Sequence, residues 1–242
     1  MFVPLSAKTY EEAQEMTITL QTKLQEIINS TEGARVMGIG LEGGLAPYIT
    51  PQRKGEVPEL RLWRMMKEAI EKSGYVPGKD VVIALDPAAS ELQEAFREQF
   101  EQPKAVGQYL FWRDGQQIVM DRDELLGLYL QAIEEGIPII TIEDGFAEDD
   151  WEGFEMLMQK LGDRAFIVAD DLATTNDEIV EEAADREAAN ALLVKPNQIG
   201  TLSETVLAML TALGKGMELI SSHRSTKPND TMEAHVALAA ST

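Results

Sequence analysis

The sequence has no cysteine. That excludes disulfides, thiolate metal sites and a cysteine nucleophile, and it fits a cytoplasmic address. Basic side chains are few: 21 Lys and Arg stand against 42 Asp and Glu, a net charge of −21. Both nucleic acid and an anionic membrane need a basic face, so neither is an expected partner. Most of the acidity reads as solubility, and a site for divalent cations would account for only a few of the acids. No apolar run approaches the roughly 20 residues of a membrane span. The N-terminal "MFVPLSAKTYEEA" has no basic region followed by a long apolar one, so no signal peptide is expected. There is no low-complexity tract and no flexible linker to divide domains.

What remains is a chain of 242 residues, 44% hydrophobic, which suits one large domain or two small ones. Short apolar runs alternate with longer segments of helical period. The runs are residues 1–5, 36–40, 81–86, 139–144, 166–171, 191–196 and 218–223, which predicts seven strands. Capping-box spacings precede the helical segments at Thr9/Glu12, Asp121/Glu124, Thr175/Glu178, Thr201/Glu204 and Asp230/Glu233. Residues 108–121 break the rhythm, because Asp114-Gly115 lies between two apolar runs and predicts a β-hairpin. Residues 50–59 read as a polar loop. Strand–helix alternation predicts parallel strands joined by helical crossovers, in a closed eight-stranded barrel or an open doubly wound sheet. The runs are apolar throughout, as strands covered on both faces should be.

The ends of the runs carry the chemistry. They finish at Asp86, Glu143-Asp144, Asp170-Asp171, Lys195 and His223-Arg224-Ser225, while the run at 36–40 leads to Glu42 beside two glycines. One acid at a strand end is ordinarily the start of a solvated loop or a helix cap. Three consecutive strands ending in acids, followed by strands ending in Lys and His-Arg-Ser, point instead to a site at one end of a barrel. Asp86, Glu143 and Asp170 would form an all-oxygen site suited to Mg²⁺. Arg224 offers a planar fork for a phosphate or carboxylate, with Ser225 and His223 beside it. Lys195 suits a general base and Glu42 an opposing acid. Together these groups suit proton abstraction next to a carboxylate, followed by elimination. The plainer alternative for Lys195 is a salt bridge to Asp170 or Asp171.

Six ordered stretches, "GLEGGLAP", "VVIALDPAASEL", "TIEDGFAEDDWEGF", "VADDLATTN", "LLVKPNQIGTLSET" and "SSHRS", resemble the enolase family over nearly the whole chain. The resemblance implies an α/β fold, a TIM-type barrel of the enolase kind with seven of eight strands present and the hairpin near 108–121 as an insertion. Residues 1–242 would be the C-terminal barrel domain, without the N-terminal capping domain and the last strand. It implies a Mg²⁺-dependent lyase (phosphopyruvate hydratase) that reversibly dehydrates 2-phosphoglycerate to phosphoenolpyruvate in glycolysis. In that scheme Lys195 removes the proton, Glu42 helps protonate the departing hydroxide, and Asp86, Glu143 and Asp170 hold the metal. Arg224 and Ser225 bind the phosphate, and His223 lines the pocket.

Departures from the family pattern are Leu41 for Asp, Gly145 for Pro, and Thr226-Lys227 for Gly-Glu. A barrel short of one strand would leave open edges, so a homo-oligomer or a complementing chain is expected. The alternatives are a catalytically incomplete fragment or paralogue that serves as a binding or scaffold protein, and related chemistry on another substrate.

Overall fold

The structure, a computed structural model, describes residues 1–40, 43–50, 57–113, 116–224 and 231–240. The chain divides into two compact units: Met1–Ala84 with Trp112–Ile118 and Gly127–Ile140, and Leu85–Phe111 with Val119–Leu126 and Thr141–Thr242.

The N-terminal part comprises β1 (Phe2–Pro4), α1 (Tyr10–Ser30), β2 (Ala34–Ile39), β3 (Leu45–Ile49), α2 (Pro58–Lys72) and β4 (Val81–Leu85). Thr9 starts α1 as the spacing predicts: the Glu12 N–H donates to Thr9 Oγ1 (3.2 Å), while Glu12 Oε2 accepts from the Lys8 N–H (2.7 Å). Met16, Leu20, Leu24, Ile27 and Ile28 then recur at helical spacing and are buried. Pro58 occupies the first turn of α2, where its missing N–H costs nothing. The buried face of α2 includes Trp63, which stacks on Tyr129 at 6.4 Å between ring centroids.

The rest comprises α3 (Ala89–Gln99), β5 (Gln108–Arg113), β6 (Gln116–Asp121), α4 (Arg122–Glu134), β7 (Ile139–Glu143), α5 (Trp151–Leu161) and β8 (Phe166–Ala169). It continues with α6 (Asp177–Asp185), β9 (Ala191–Val194), α7 (Pro196–Ile199), α8 (Leu202–Gly214), β10 (Glu218–Ser221) and α9 (Met232–Ala240). β7, β8, β9 and β10 lie side by side in chain order, and their pairings are parallel: Glu143 opposite Val168, Ala169 opposite Leu192, Ser221 opposite Val194. A single helical crossover between such strands brings the chain back to the end it left. β9 is buried at all four residues, and Val168, Ala191, Leu193 and Ile220 pack together between neighbouring strands. The α/β class is as the sequence predicts; in the main sheet β4 and β9 are buried at every residue, as doubly covered strands should be, whereas β1, β7, β8 and β10 each keep residues that are half-buried or exposed.

Two strands depart from the expected pattern. The main sheet has the order β1-β4-β7-β8-β9-β10, and β1 pairs with β4 antiparallel, Phe2 opposite Ile83. Two helices and a hairpin separate these strands, so the chain re-enters from the opposite end. The run at 36–40 is absent from that sheet: it belongs to β2, which pairs antiparallel with β3 in a separate two-stranded sheet. Gly43, at φ +79°, helps turn β2 back onto β3, and strands joined this closely pair with each other first. β5 and β6 form the two-stranded sheet predicted at 108–121, although the Asp114-Gly115 turn lies outside the described residues.

The capping boxes also divide. Asp121 and Glu124 satisfy each other's N–H groups at 3.1 and 3.0 Å, and Thr201 accepts from the Glu204 N–H at 3.2 Å. At Thr175 the expectation fails. Asn176 caps α6 instead, accepting from the N–H groups of Glu178 (3.0 Å) and Ile179 (3.3 Å). Asp230 lies outside the described residues.

Candidate active site

Asp86 directly follows β4, Glu143 ends β7 and Asp144 follows it, Asp170-Asp171 follow β8, and Lys195 follows β9. Four of the six non-glycine residues with positive φ among the described residues lie just beyond these strands: Ala88 (50°), Asp144 (41°), Thr174 (48°) and Thr175 (56°). Each such conformation costs about 1–3 kcal/mol and persists only where surrounding contacts enforce it, which is common at functional sites.

At Asp144 the enforcing contacts are explicit. Its carboxylate is buried and accepts two successive backbone N–H groups, from Asp170 (3.0 Å) and Asp171 (2.8 Å). Its own N–H donates to the Val168 carbonyl (3.1 Å). The end of β7 is thereby clamped to the end of β8. Carboxylate oxygens of Asp144, Asp170 and Asp171 lie within 4.8 Å of one another.

The charges are unevenly opposed. Burial pushes the Glu143 carboxyl up to about 8, and the carboxylates of Asp86 and Asp170 push it the same way while Lys195 partly offsets them. Burial likewise raises Asp144 to about 7, against the lowering effect of the two backbone N–H groups. Lys195 Nζ forms an ion pair with Asp170 Oδ2, both side chains being largely withdrawn from solvent. Gln198 Nε2 approaches Asp170 Oδ1 (3.5 Å) and Asp171 Oδ1 (3.4 Å).

Of the sequence-predicted residues, Asp86, Glu143, Asp170 and Lys195 thus interact electrostatically at adjacent strand ends. The Lys195–Asp170 salt bridge, held open as the plainer alternative, is present. His223 and Arg224 follow β10 and are exposed, and the Arg224 N–H donates to Asn197 Oδ1 (3.1 Å). Glu42, Leu41, Ser225, Thr226 and Lys227 lie outside the described residues. Gly145 is buried. Asp144 and Asp171, the second acids of "ED" and "DD", lie outside the expected metal-binding set, yet they join Asp170 in the acidic cluster.

The donor set suits a hard divalent cation. All its donor atoms are carboxylate oxygens. Burial and neighbouring carboxylates push Glu143 and Asp144 above the usual carboxylate range, a penalty that a bound dication would offset.

Residues 1–242 match the family model described as "Enolase, C-terminal TIM barrel domain". The enolase of Malacoplasma penetrans is 40% identical over 245 residues, covering 100% of this chain and 52% of that protein. The enolase of Rubrobacter xylanophilus is 40% identical over 239 residues, covering 99% of this chain and 50% of that protein. The chain therefore spans about half the length of these curated relatives.

Proposed function

From the premise that this chain belongs to the enolase C-terminal TIM barrel family, we propose that it carries the metal and base half of an enolase-like lyase site. The reaction is the reversible dehydration of 2-phosphoglycerate to phosphoenolpyruvate. The domain assignment goes with it: residues 1–242 as one enolase-like barrel domain, the span the family model covers. The observation that carries the proposal is the sequence of strand ends: Asp86, Glu143, Asp170 and Lys195 interacting at adjacent termini.

In this reading Asp86, Glu143 and Asp170 hold Mg²⁺, with Asp144 clamping the last of them. When bound, the metal stabilises the negative charge that builds on the substrate carboxylate. Lys195, once it has given up a proton, takes the hydrogen from the carbon beside that carboxylate. The C–H electron pair becomes the new C=C bond, hydroxide leaves the next carbon, and a proton from Glu42 turns it into water. Arg224 and Ser225 bind the phosphate and His223 lines the pocket. A cytoplasmic location and homo-oligomeric assembly, or assembly with a complementing chain, belong to the same proposal. Among the described residues no helix is long and apolar enough to cross a membrane.

A second reading, a catalytically incomplete binding or scaffold protein, is favoured by the departures from the family pattern at Leu41, Gly145 and Thr226-Lys227. Calorimetry with Mg²⁺ and a turnover assay on 2-phosphoglycerate separate the two. Saturable Mg²⁺ binding with Mg²⁺-dependent phosphoenolpyruvate formation supports the lyase. Mg²⁺ binding without turnover supports the second reading.

A further inference from the structure

Thr175 has a hydroxyl that its expected task does not use. The capping spacing Thr175/Glu178 is satisfied by Asn176 instead. Thr175 is fully buried, and its β-branched side chain sits on a backbone at φ +56°, a region such residues rarely enter. Thr174, at φ +48°, shares the distortion. Both follow the β8 carboxylates, and the turn is knitted to Asp170 by the Ala173 N–H (3.1 Å) and the Thr174 N–H (2.7 Å), which donate to the Asp170 carbonyl.

The distortion delivers the hydroxyl to the neighbouring strand end. Thr175 Oγ1 accepts the backbone N–H of Lys195 (3.0 Å). Its own hydrogen is directed to Gln198 Oε1 (3.1 Å) and the Leu193 carbonyl (3.4 Å). Lys195 is the residue at which β9 ends and α7 begins, so its N–H is beyond the last strand residue and within the cap of a short helix. The same Gln198 turns its amide nitrogen toward Asp170 and Asp171. One hydroxyl therefore joins the backbone of the lysine to the side chain that borders the carboxylates.

We propose that Thr175 is a positioning residue: its hydroxyl fixes the Lys195 backbone, and through it the ammonium, against Asp170. The inference rests on Lys195 acting as the base. It accounts for a strained, buried threonine where a smaller or unstrained residue would close the turn more easily. Loss of the hydroxyl frees the strand end to shift, and a base displaced by about 1 Å can lose roughly 10²-fold in rate.

The test compares Thr175→Ser, which keeps the hydroxyl, with Thr175→Val, which keeps the shape. The first readout is the rate of reductive methylation at Lys195 relative to the other lysines, followed by peptide mass spectrometry on the folded chain. Thr175→Val should change the relative labelling of Lys195 several-fold, and Thr175→Ser should label as the parent does. The second readout is turnover of 2-phosphoglycerate: Thr175→Val lowers kcat with little change in KM, and Thr175→Ser restores it. Unchanged labelling in Thr175→Val, or equal effects of Val and Ser, overturns the positioning role. A parent chain with no turnover sinks the lyase proposal alone, because the labelling comparison still decides the role of Thr175.

Discussion

At the scale of single residues the site is a problem of charge. Glu143 and Asp144 are adjacent carboxyls raised to about 8 and about 7, chiefly by burial. Both hold protons more tightly folded than unfolded, so the stability they contribute is complete below the ordinary carboxylate range. It is lost as pH rises through the folded values. The metal-free protein should therefore melt at progressively lower temperature from about pH 5 to about pH 8 and level off above that, and saturating Mg²⁺ should remove most of that decline. Differential scanning calorimetry with chelator and with Mg²⁺ checks this. A melting temperature that stays level or climbs over that range without metal contradicts the electrostatic account. The placement of these residues was legible: apolar runs ended by Asp86, Glu143, Asp170 and Lys195 predict charged groups gathered at neighbouring strand ends, where the structure has them. The task of Thr175 was not. Thr-x-x-Glu and the adjacent Asn both fit a cap, and the choice between them turned on two left-handed residues that no local pattern announces.

At the scale of elements the loop from β7 to α5 is held by a second, buried polar cluster. Asp150 is fully buried and caps α5 through the Gly153 N–H (3.1 Å). It also accepts the Tyr109 hydroxyl from β5 (2.5 Å) and Arg122 Nε from α4 (2.6 Å). Tyr109 in turn accepts the Ala147 N–H (3.2 Å), so hairpin, helix and loop converge on one carboxylate. Removing Asp150 breaks an ion pair whose acid is fully buried, takes away the acceptor of the Tyr109 hydroxyl and uncaps α5, so Asp150→Ala should cost roughly 3–5 kcal/mol in urea unfolding. Tyr109→Phe should cost about 1–3 kcal/mol, because it removes the hydroxyl's bonds to Asp150 and from the Ala147 N–H and leaves the ion pair. A loss below about 1 kcal/mol for Asp150→Ala would show that the cluster does not hold the loop. The hairpin bearing Tyr109 could be read from Asp114-Gly115. The antiparallel entry of β1 and the removal of β2 from the main sheet could not, because alternating runs count strands without giving their direction.

At the scale of the whole molecule, the acidic excess reads mainly as solubility, while a few acids gather at the strand ends. The family assignment rests on 242 matched residues, yet the relatives are about twice as long. What decides the account is whether this chain itself moves the proton. We would incubate it with 2-phosphoglycerate and Mg²⁺ in D₂O and follow the hydrogen beside the carboxylate by proton NMR. The account predicts exchange of that hydrogen for deuterium in the parent chain. Lys195→Ala should show no exchange yet keep its Mg²⁺ affinity. Absence of exchange in the parent at saturating Mg²⁺, or exchange that survives loss of Lys195, would contradict the assignment of Lys195 as the base.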